Sequence, residues 1–405
     1  MFTSRRPATE PAASPPGKLG RTLRFVVAVL AFAVAFLTAT ITLGAHVPAI
    51  PKAGVIGPVL GGQYPFHVAA LALAGAVLGV VAWRSGLVRG GRVLTAVTTL
   101  SMLAALAIGG IQFRAAQQAG TRISAHEVLS QIAYPDATPD TTQVYATRDG
   151  QALTADLYLP QHRNSNVPAI VLAHAGGFRT FDKSDLRGTG RWLADHGVAA
   201  IAADYSLAAP GRPTWNTAPQ DLLSALRWVQ DHADEYGIDT SRISMGGMSA
   251  GGTLAMNTAY RLQNGTIRAA EGSTPAPPAS VVGFYPGTDV SQMWKDDVSG
   301  SREAAELFTG GTPAQYPQRY REVSPTTDIR KGLQRTLLVV GDRDRSARPE
   351  TIKSFAASLR ADGVDTTFRE LPFAEHAFDD AYGSLTSQTS RQILLDFLTE
   401  GPRHR

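Results

Sequence analysis

The chain has 405 residues, of which 18% are charged, and its formal net charge is +4. Cysteine is absent, which excludes disulfide bonds, thiolate catalysis and cysteine-ligated metal sites. The positive charge is confined to residues 1–125, which carry +10 with Glu10 as their single acid, whereas the remainder carries −6. Because the basic residues flank apolar runs and form no exposed stripe, the composition indicates a membrane partner and no nucleic acid.

Three long apolar runs come first, at about residues 23–45, 65–83 and 93–113. Each has about 20 residues, enough for a helix to cross a hydrocarbon core of about 30 Å. Their single charge is Arg24, at the edge of the first run. Buried helices of a globular core are the alternative, which the lack of an amphipathic stripe disfavours. We therefore predict that residues 1–113 form a membrane anchor of three transmembrane helices.

The flanking charges predict the orientation of this anchor. Basic residues cluster before the first run and between the second and third runs, whereas the intervening loop has only Lys52. By the positive-inside rule, the N-terminus and the second loop face the cytoplasm, so the chain after residue 113 lies outside it. A cleaved signal sequence ending near Gly44–Ala45 is an alternative that predicts the same side. The basic residues are Arg5, Arg6, Lys18, Arg21 and Arg24, and then Arg84, Arg89 and Arg92.

A polar segment, residues 114–140, follows as a linker with a short amphipathic helix around 122–132. From residue 141 to about 400 the pattern is that of an α/β domain. Two segments in which apolar and polar residues alternate, one on each side of a turn at residues 148–150, predict a β-hairpin. Buried-type strands then alternate with helices, which predicts an α/β-hydrolase-like architecture, a mostly parallel sheet with helices on both faces. The strands are predicted at 167–174, 198–204, 242–248, 280–285, 335–340 and 366–371, and the helices at 185–196, 220–236, 250–263, 349–362 and 379–399, with a helical insertion at 288–327.

A serine flanked by glycines directly follows the strand predicted at 242–248. Gly247-Met248-Ser249-Ala250-Gly251 also opens an alanine-rich helix, and this strand–turn–helix placement is typical of a nucleophile elbow. Small residues at Gly247 and Gly251 allow the sharp bend, and the helix N-terminus supplies a positive dipole. A glycine-rich turn with an incidental N-cap serine is the alternative. The placement favours Ser249 as a nucleophile.

A second glycine-rich segment, His174-Ala175-Gly176-Gly177-Phe178, directly follows another predicted strand. The oxyanion of a tetrahedral intermediate needs backbone N–H donors, and glycines allow the backbone to approach it closely. We expect Gly176, Gly177 and Ala250 to supply these donors. His174 ends a strand, so we expect it to orient the glycine loop through a hydrogen bond, without transferring protons.

A nucleophilic serine needs a base, and the base needs an orienting acid. His376 fits the base because it lies just beyond the last predicted strand, although a surface or capping histidine is the alternative. Asp342 and Asp344 follow a buried strand at the edge where catalytic groups gather in such sheets. We predict Asp344 as the acid and keep Asp342 in reserve. The chain order of Ser249, Asp344 and His376 is that of the α/β-hydrolase triad.

The alternative for the two aspartates is a structural turn, in which both pair with the neighbouring Arg343 and Arg345. This turn would leave His376 without an acid.

Taken as a set, these motifs resemble those of hormone-sensitive-lipase-like and feruloyl-esterase-like carboxylesterases of the α/β-hydrolase superfamily. The resemblance covers about residues 141–398 and also rests on Asp204 and Asp221, which it leads us to expect in structural roles. It implies ester hydrolysis through an acyl-serine intermediate, without cofactor or metal. Two features depart from the family. Ala175 replaces the first glycine of the usual His-Gly-Gly-Gly, and the N-terminal cap is missing, so the acyl site is expected to be open, roofed by residues 288–327 or facing the bilayer.

The expected function is therefore that of a serine carboxylesterase acting on short- to medium-chain esters or envelope-associated lipid esters. Three alternatives stay open. They are a serine peptidase of the oligopeptidase type, an acyltransferase acting on envelope lipids or glycans, and a non-enzymatic membrane protein on a decayed hydrolase fold. The sequence leaves the oligomeric state open.

Overall fold

The N-terminal part of the protein is a bundle of three long helices. The structure is a computed structural model, which describes residues 18–161 and 166–400. Helices α1 (Lys18–His46), α3 (Pro65–Arg84) and α4 (Val88–Gln118) are each long and apolar enough to cross a membrane. Between α1 and α3 lie α2 (Ala53–Ile56) and a π-helical turn (Gly57–Gly62), which the sequence pattern did not predict. Arg5 and Arg6, used in the orientation argument, lie outside the described residues.

The outer surface of this bundle is apolar. Large side chains such as Phe25, Phe36 and Leu100 are each at least 66% exposed. Inside the bundle, α3 and α4 approach closely at Gly79, where a Cβ would come within 2.8 Å of the backbone nitrogen of Thr95. Small residues at the contact and large apolar residues outside are the arrangement that helices in a bilayer use.

The linker runs from the end of α4 along the surface of the C-terminal domain. It contains the predicted short helix as α5 (Ala125–Ser130), whose N-cap Ser124 accepts a hydrogen bond from the backbone N–H of Glu127. The Glu127 carboxylate pairs with Arg391, at 3.0 Å, and this side chain is almost fully buried in the C-terminal domain. These contacts fix the linker against the domain that follows it.

The C-terminal domain is built on one eight-stranded sheet with strand order β1-β2-β4-β3-β5-β6-β7-β8. The hairpin strands β1 and β2 are antiparallel to each other, β2 is antiparallel to β4, and the remaining pairs are parallel. This confirms the predicted mostly parallel sheet. The strands are β1 (Thr141–Arg148), β2 (Gln151–Tyr158), β3 (Val167–Ala173), β4 (Ala199–Ala203), β5 (Ile238–Met248), β6 (Ser280–Phe284), β7 (Arg335–Gly341) and β8 (Thr366–Leu371).

Helices cover both faces of the sheet. The predicted insertion at 288–327 consists of three short helices, α10–α12, and a 3₁₀ turn at Pro325–Asp328. A second 3₁₀ turn, Lys183–Leu186, precedes α6. The helices are α6 (Arg187–Asp195), α7 (Thr217–Asp231), α8 (Ala233–Tyr236), α9 (Ala250–Gln263), α10 (Val290–Asp296), α11 (Ser301–Thr309), α12 (Pro317–Glu322), α13 (Pro349–Ala361) and α14 (Leu385–Thr399).

The last helix begins six residues later than predicted. The prediction started it at residue 379, but α14 begins at Leu385, because Ser384 caps it by accepting from the backbone N–H of Ser387. Residues 379–384 form turns, and Asp379 consequently lies beside the loop that follows β8.

The central strands are buried on both faces, as parallel strands between two helical layers must be. Ile170, Val171 and Leu172 of β3 are fully buried, and so are Leu337 and Leu338 of β7. The parallel strands bring their carboxyl ends to one edge of the sheet. The predicted site segments all follow these carboxyl ends.

Candidate active site

Ser249 lies on a strained turn between β5 and α9. Its φ of +51° is in the left-handed region, which non-glycine residues rarely adopt. Glycine is needed on either side, because a Cβ at Gly251 would lie 2.2 Å from the carbonyl oxygen of Ala173 and one at Gly247 2.4 Å from the same atom. The backbone N–H of Ser249 donates to the carbonyl of Phe284, at 2.9 Å, which ties the turn to β6. The local sequence therefore presents the serine hydroxyl at the sheet edge.

The imidazole of His376 connects Ser249 to Asp344. Its Nε2 lies 2.9 Å from Ser249 Oγ, and its Nδ1 lies 2.8 Å from Asp344 Oδ2. With the tautomer that donates from Nδ1 to the carboxylate, Nε2 is free to accept the serine proton. The structure thus brings together the three residues predicted from chain order. It also gives each the partner that the predicted roles require.

Asp344 is the aspartate that faces the imidazole. Its side chain is fully buried, and its second oxygen, Oδ1, accepts from the backbone N–H groups of Ser346 and Ala347 at 2.9 and 2.7 Å. The reserve candidate, Asp342, points instead toward its neighbour Arg343, whose Nε lies 3.8 Å away. Arg345, the other arginine of the alternative turn, pairs with Glu375 and with neither aspartate.

Glu375 is a residue of this site that the sequence reasoning missed. Its side chain is almost fully buried and accepts from the backbone N–H of Arg345, at 2.9 Å, and from its Nε, at 2.7 Å. It also accepts from the backbone N–H of His376, at 3.1 Å. The carboxylate therefore joins the loop after β7 to the loop after β8. The sequence shows only that Glu375 is next to His376. That position does not distinguish a buried carboxylate that joins two loops from an acid exposed at the surface.

The electrostatic surroundings raise the pKa of His376 above its ordinary value of 6.5. Burial alone lowers this pKa, because it disfavours the charged ring. The charge of Asp344 and its hydrogen bond act in the opposite direction, with smaller contributions from Glu375 and Asp379, and together they outweigh burial. The site is therefore arranged to stabilise an imidazolium.

The glycine loop after β3, predicted to form an oxyanion hole, has a backbone conformation that favours glycine. Gly176 and Gly177 both have positive φ, +110° and +58°, and a Cβ at Gly176 would lie 2.0 Å from the carbonyl oxygen of Thr180. Within the described residues, the backbone N–H groups of Gly176, Gly177 and Ala250 donate no hydrogen bond to the chain itself. These donors remain available to a ligand.

His174 is buried behind this loop. Its Nδ1 lies 2.7 Å from the carbonyl oxygen of Ala175, and its ring stacks on Tyr205 with centroids 4.3 Å apart. The Tyr205 hydroxyl donates to the carbonyl of His174, at 3.0 Å. Burial lowers the pKa of His174, so the ring is neutral at pH 7. These contacts are those of a residue that orients the loop.

An open cavity of about 560 Å³ lies over Ser249 and His376. Its lining includes Met293 and residues 298–301 of the helical insertion, together with Phe181 and Tyr134. Residues of the insertion at 288–327 therefore border the cavity, and the cavity is open, so the expected arrangement of the acyl site stays a prediction. Among the described residues, no group of three or more histidine, aspartate and glutamate side chains could hold a metal ion.

Known sequences related to the chain include several esterases. The BD-FAE family profile matches residues 155–359. Esterase LipC of Mycobacterium tuberculosis (strain ATCC 25618 / H37Rv) is 30% identical over 221 residues, covering 53% of each protein. An ethyl acetate hydrolase of Pseudomonas putida is 36% identical over 163 residues, covering 39% of this chain and 47% of the hydrolase. The chain thus spans about half the length of these curated relatives.

Solved structures with the same fold include esterases. The propionate-bound esterase Est2 of Thermogutta terrifontis is 25% identical with a TM-score of 0.54, covering 65% of this chain and 95% of Est2. A bacterial heroin esterase shares the fold at 22% identity and a TM-score of 0.54, covering 64% and 84% of the two chains. The chain therefore belongs to the BD-FAE family and has the α/β-hydrolase fold, with three apolar helices preceding it.

Proposed function

We propose that the protein is a membrane-anchored serine hydrolase that cleaves carboxylic esters through an acyl-serine intermediate. The observation that carries this proposal is the continuous hydrogen-bonded series of Ser249, His376 and Asp344, of which Ser249 and His376 line an open cavity. A nucleophile, a base and an orienting acid in hydrogen-bond contact are the requirement for acyl transfer by serine. The esterases among its relatives support the same chemistry.

In the acylation step, Ser249 Oγ attacks the ester carbonyl carbon while His376 Nε2 takes the hydroxyl proton. The carbonyl oxygen becomes an oxyanion, to which the backbone N–H groups of Gly176, Gly177 and Ala250 donate. Asp344 holds the ring in the required tautomer and stabilises the imidazolium. The intermediate collapses when the alcohol leaves with the proton from Nε2.

In the deacylation step, a water molecule replaces the alcohol. His376 Nε2 takes a proton from this water as its oxygen attacks the acyl carbon of the Ser249 ester. The same backbone N–H groups hold the second oxyanion. The proton then returns to Ser249 Oγ as the carboxylic acid leaves, so the enzyme ends the cycle unchanged.

The proposed substrates are short- to medium-chain esters or lipid esters of the cell envelope. A cavity of about 560 Å³ is within the usual range of small-molecule sites, about 300–1,000 Å³. An ethyl acetate hydrolase among the relatives and a propionate-bound esterase among the related structures favour small acyl groups.

The proposed location is the cell membrane, with the hydrolase domain on the extracytoplasmic side. The hydrolase domain packs against the end of the bundle that contains Gly62. Because α3 runs from Pro65 to Arg84, the arginine-rich connection between α3 and α4 lies at the opposite end. The positive-inside rule assigns that opposite end to the cytoplasm.

The test is the hydrolysis of p-nitrophenyl acetate and butyrate by the full-length protein and its Ser249→Ala variant. We expect kcat to fall by roughly 10³–10⁶-fold, whereas Ser354→Ala, an exposed serine of α13, is the matched control and should act like the wild type. Unchanged turnover by Ser249→Ala would contradict the proposal.

The alternatives from the sequence are separated by the choice of substrate. Cleavage of aminoacyl amides in preference to esters would indicate a peptidase, and transfer to added alcohols in preference to water would indicate an acyltransferase. A chain that does not label with a fluorophosphonate probe at Ser249 would have no active triad.

A further inference from the structure

The loop that carries His376 is in direct contact with the membrane-anchor helices. Gln112 of α4 is 2% exposed, and its amide nitrogen donates to the carbonyl of Gly62, at 2.7 Å, and to the carbonyl of Pro372, at 3.1 Å. Pro372 directly follows β8 and precedes His376 by four residues. One side chain therefore joins α4, the π-helical turn and the histidine loop.

Phe373, the next residue of the loop, is buried against the anchor. Its ring packs in a cluster with Ala45 of α1 and Ile108 of α4, and the ring of His46 lies 5.2 Å away. Gly62 of the π-helical turn also approaches the loop so closely that a Cβ there would lie 1.9 Å from the carbonyl oxygen of Phe373. Helices α1 and α4 and the π-helical turn thus all contact this loop.

The backbone of the loop needs such support. Phe373 and Ala377 both have φ near +55°, a conformation that side-chain-bearing residues adopt only when their surroundings impose it. Hydrogen bonds within the hydrolase domain hold the loop on one side, from Arg343 to the carbonyl of Ala374 and from Arg345 to the carboxylate of Glu375. The anchor helices hold it on the other side. His376 lies between the two residues with positive φ, so its imidazole follows the position of this backbone.

Gln112 is placed along α4 where it can contact the hydrolase domain. A helix of 31 residues is about 46 Å long and exceeds a hydrocarbon core of about 30 Å. Gln112 lies in the C-terminal third of α4, at the end of the bundle that faces the hydrolase domain. A buried amide is costly unless it is used in hydrogen bonds. Here the amide nitrogen makes two, both to segments outside α4, while the amide oxygen has no partner among the described residues.

We propose that the membrane anchor positions the catalytic base, with Gln112 as the positioning residue that fixes the His376 loop. The inference rests on the proposed function, because it assigns His376 the role of base. It follows that the anchor is part of the catalytic apparatus. The rate of acyl transfer depends on how the helices pack, beyond their role in attaching the enzyme to a bilayer.

The test compares Gln112→Leu with Gln117→Leu in the full-length protein in detergent micelles. Gln117 is a matched control because it is a glutamine of the same helix and is exposed. For Gln112→Leu we expect kcat on p-nitrophenyl butyrate to fall about 10- to 100-fold with KM changed less than about 3-fold, because a displaced base slows chemistry more than binding. Gln117→Leu should match the wild type.

A second readout is the pH dependence of kcat/KM. If the loop shifts, the contact between His376 and Asp344 weakens, and the influence that raises the pKa of the imidazole is reduced. The acid limb of Gln112→Leu should therefore move to lower pH. If Gln112 only stabilised the fold, its replacement would lower thermal stability without moving the acid limb of the pH profile.

Gly62→Ala disturbs the same loop through the π-helical turn, at the close approach of Gly62 to Phe373. Its methyl group would press on the carbonyl of Phe373, so we expect the same loss of kcat with little change in KM. Rates are expressed per Ser249 that reacts with a fluorophosphonate probe, so that misfolded molecules do not enter the comparison.

A per-site kcat and a pH profile of Gln112→Leu equal to those of Gln117→Leu would overturn the inference, even if thermal stability fell. The proposed function fails by a different result, namely undiminished hydrolysis by Ser249→Ala. The two failures are therefore distinguishable.

Discussion

The ring of Tyr285 lies edge-on against the imidazole of His376, with centroids 4.6 Å apart, and the Tyr285 hydroxyl donates a hydrogen bond to Asp379. Asp379 is buried, and burial raises the pKa of its carboxyl group, whereas the bond from Tyr285 lowers it. The negative charge of Asp379 in turn contributes to the raised pKa of His376. Tyr285 thus affects the base through packing and through a neighbouring carboxylate.

The first prediction concerns the pH dependence of hydrolysis. The base must be neutral, and its pKa is raised above 6.5, so kcat/KM should fall as the pH decreases through an apparent pKa above that value. In Tyr285→Phe, Asp379 loses a donor, its pKa rises further and less of it is ionised. The pKa of His376 then falls, and the acid limb should move to lower pH.

The measurement is a pH profile of kcat/KM for the wild type and Tyr285→Phe. Tyr316→Phe serves as the control, because this tyrosine lies beside Arg319, away from the cavity. A wild-type acid limb centred below pH 6.5, or a shift to higher pH in Tyr285→Phe, would contradict the argument.

The second prediction separates the two aspartates that follow β7. Asp344→Asn leaves His376 without its charged partner and favours the wrong tautomer, so kcat should fall by roughly 10³–10⁴-fold. Asp342→Asn should change kcat less than about 3-fold, because Asp342 faces Arg343 and not the imidazole. Burial raises the pKa of Asp342 to about 6, so a perturbed pKa alone does not identify the acid.

Kinetics on the two variants side by side provide the check, since both replace an aspartate by its amide two residues apart. Equal losses of activity, or a larger loss in Asp342→Asn, would reverse the assignment of the acid.

Local patterns were sufficient to predict the strands, the hairpin and the positions of Ser249 and His376. Each of these features is determined by neighbours within about ten residues, such as the glycines around the elbow or the alternation in β1 and β2. The choice of Asp344 over Asp342 agrees with the contact to His376, although the pattern alone left both open. The catalytic roles of these residues stay predictions.

The remaining parts of the site depend on contacts between distant segments. Tyr285 and Asp379 are separated by 94 positions, and Gln112 and Pro372 by 260. Nothing in the local sequence of either partner indicates the other. Residues 379–384 were predicted as the start of the last helix, but Ser384 caps that helix and it begins at Leu385. The resulting turn is what brings Asp379 to the site.

The third prediction concerns the two glycines of the proposed oxyanion hole. Gly176→Ala places a methyl group 2.0 Å from the carbonyl of Thr180, so the loop must move and its donor is displaced. Loss of one such donor costs about 10²–10³-fold in kcat. At Gly177 the nearest atom to a Cβ is 3.5 Å away, on Ala304, and its φ of +58° is reached by other residues at a cost of roughly 1–2 kcal/mol.

We therefore expect Gly176→Ala to lose at least about 100-fold in kcat and Gly177→Ala to lose less than about 10-fold, with KM little changed in both. Steady-state kinetics with p-nitrophenyl butyrate measure the difference. If Gly177→Ala were the more damaged variant, the close contact at Gly176 would not be what shapes the hole.

The fourth prediction concerns stability and uses two aspartates of α7. Asp221 is fully buried, accepts from the backbone N–H of Ser206 at 2.9 Å and pairs with Nε of Arg148 at 3.0 Å, so it ties α7 to β1 and to the segment after β4. Asp221→Ala leaves the backbone N–H of Ser206 without its acceptor and leaves the partly exposed Arg148 with only its contact to Glu271, at 3.7 Å, which should destabilise the hydrolase domain by about 1–3 kcal/mol. Asp231 is an exposed member of a 4.0 Å pair with Arg227, and Asp231→Ala should cost less than about 1 kcal/mol.

Thermal unfolding of the two variants, followed by loss of the capacity to react with a fluorophosphonate probe, measures this difference. Asp221→Ala should lose its reactive site at a clearly lower temperature than Asp231→Ala, while its kcat per reactive site at low temperature stays near that of the wild type. A large fall in kcat per site without a fall in unfolding temperature would mean that Asp221 acts on the chemistry. The hydrogen bonds of Asp221 argue for the structural outcome, because they go to Arg148 of β1 and to Ser206 after β4, and none goes to Ser249, His376 or Asp344.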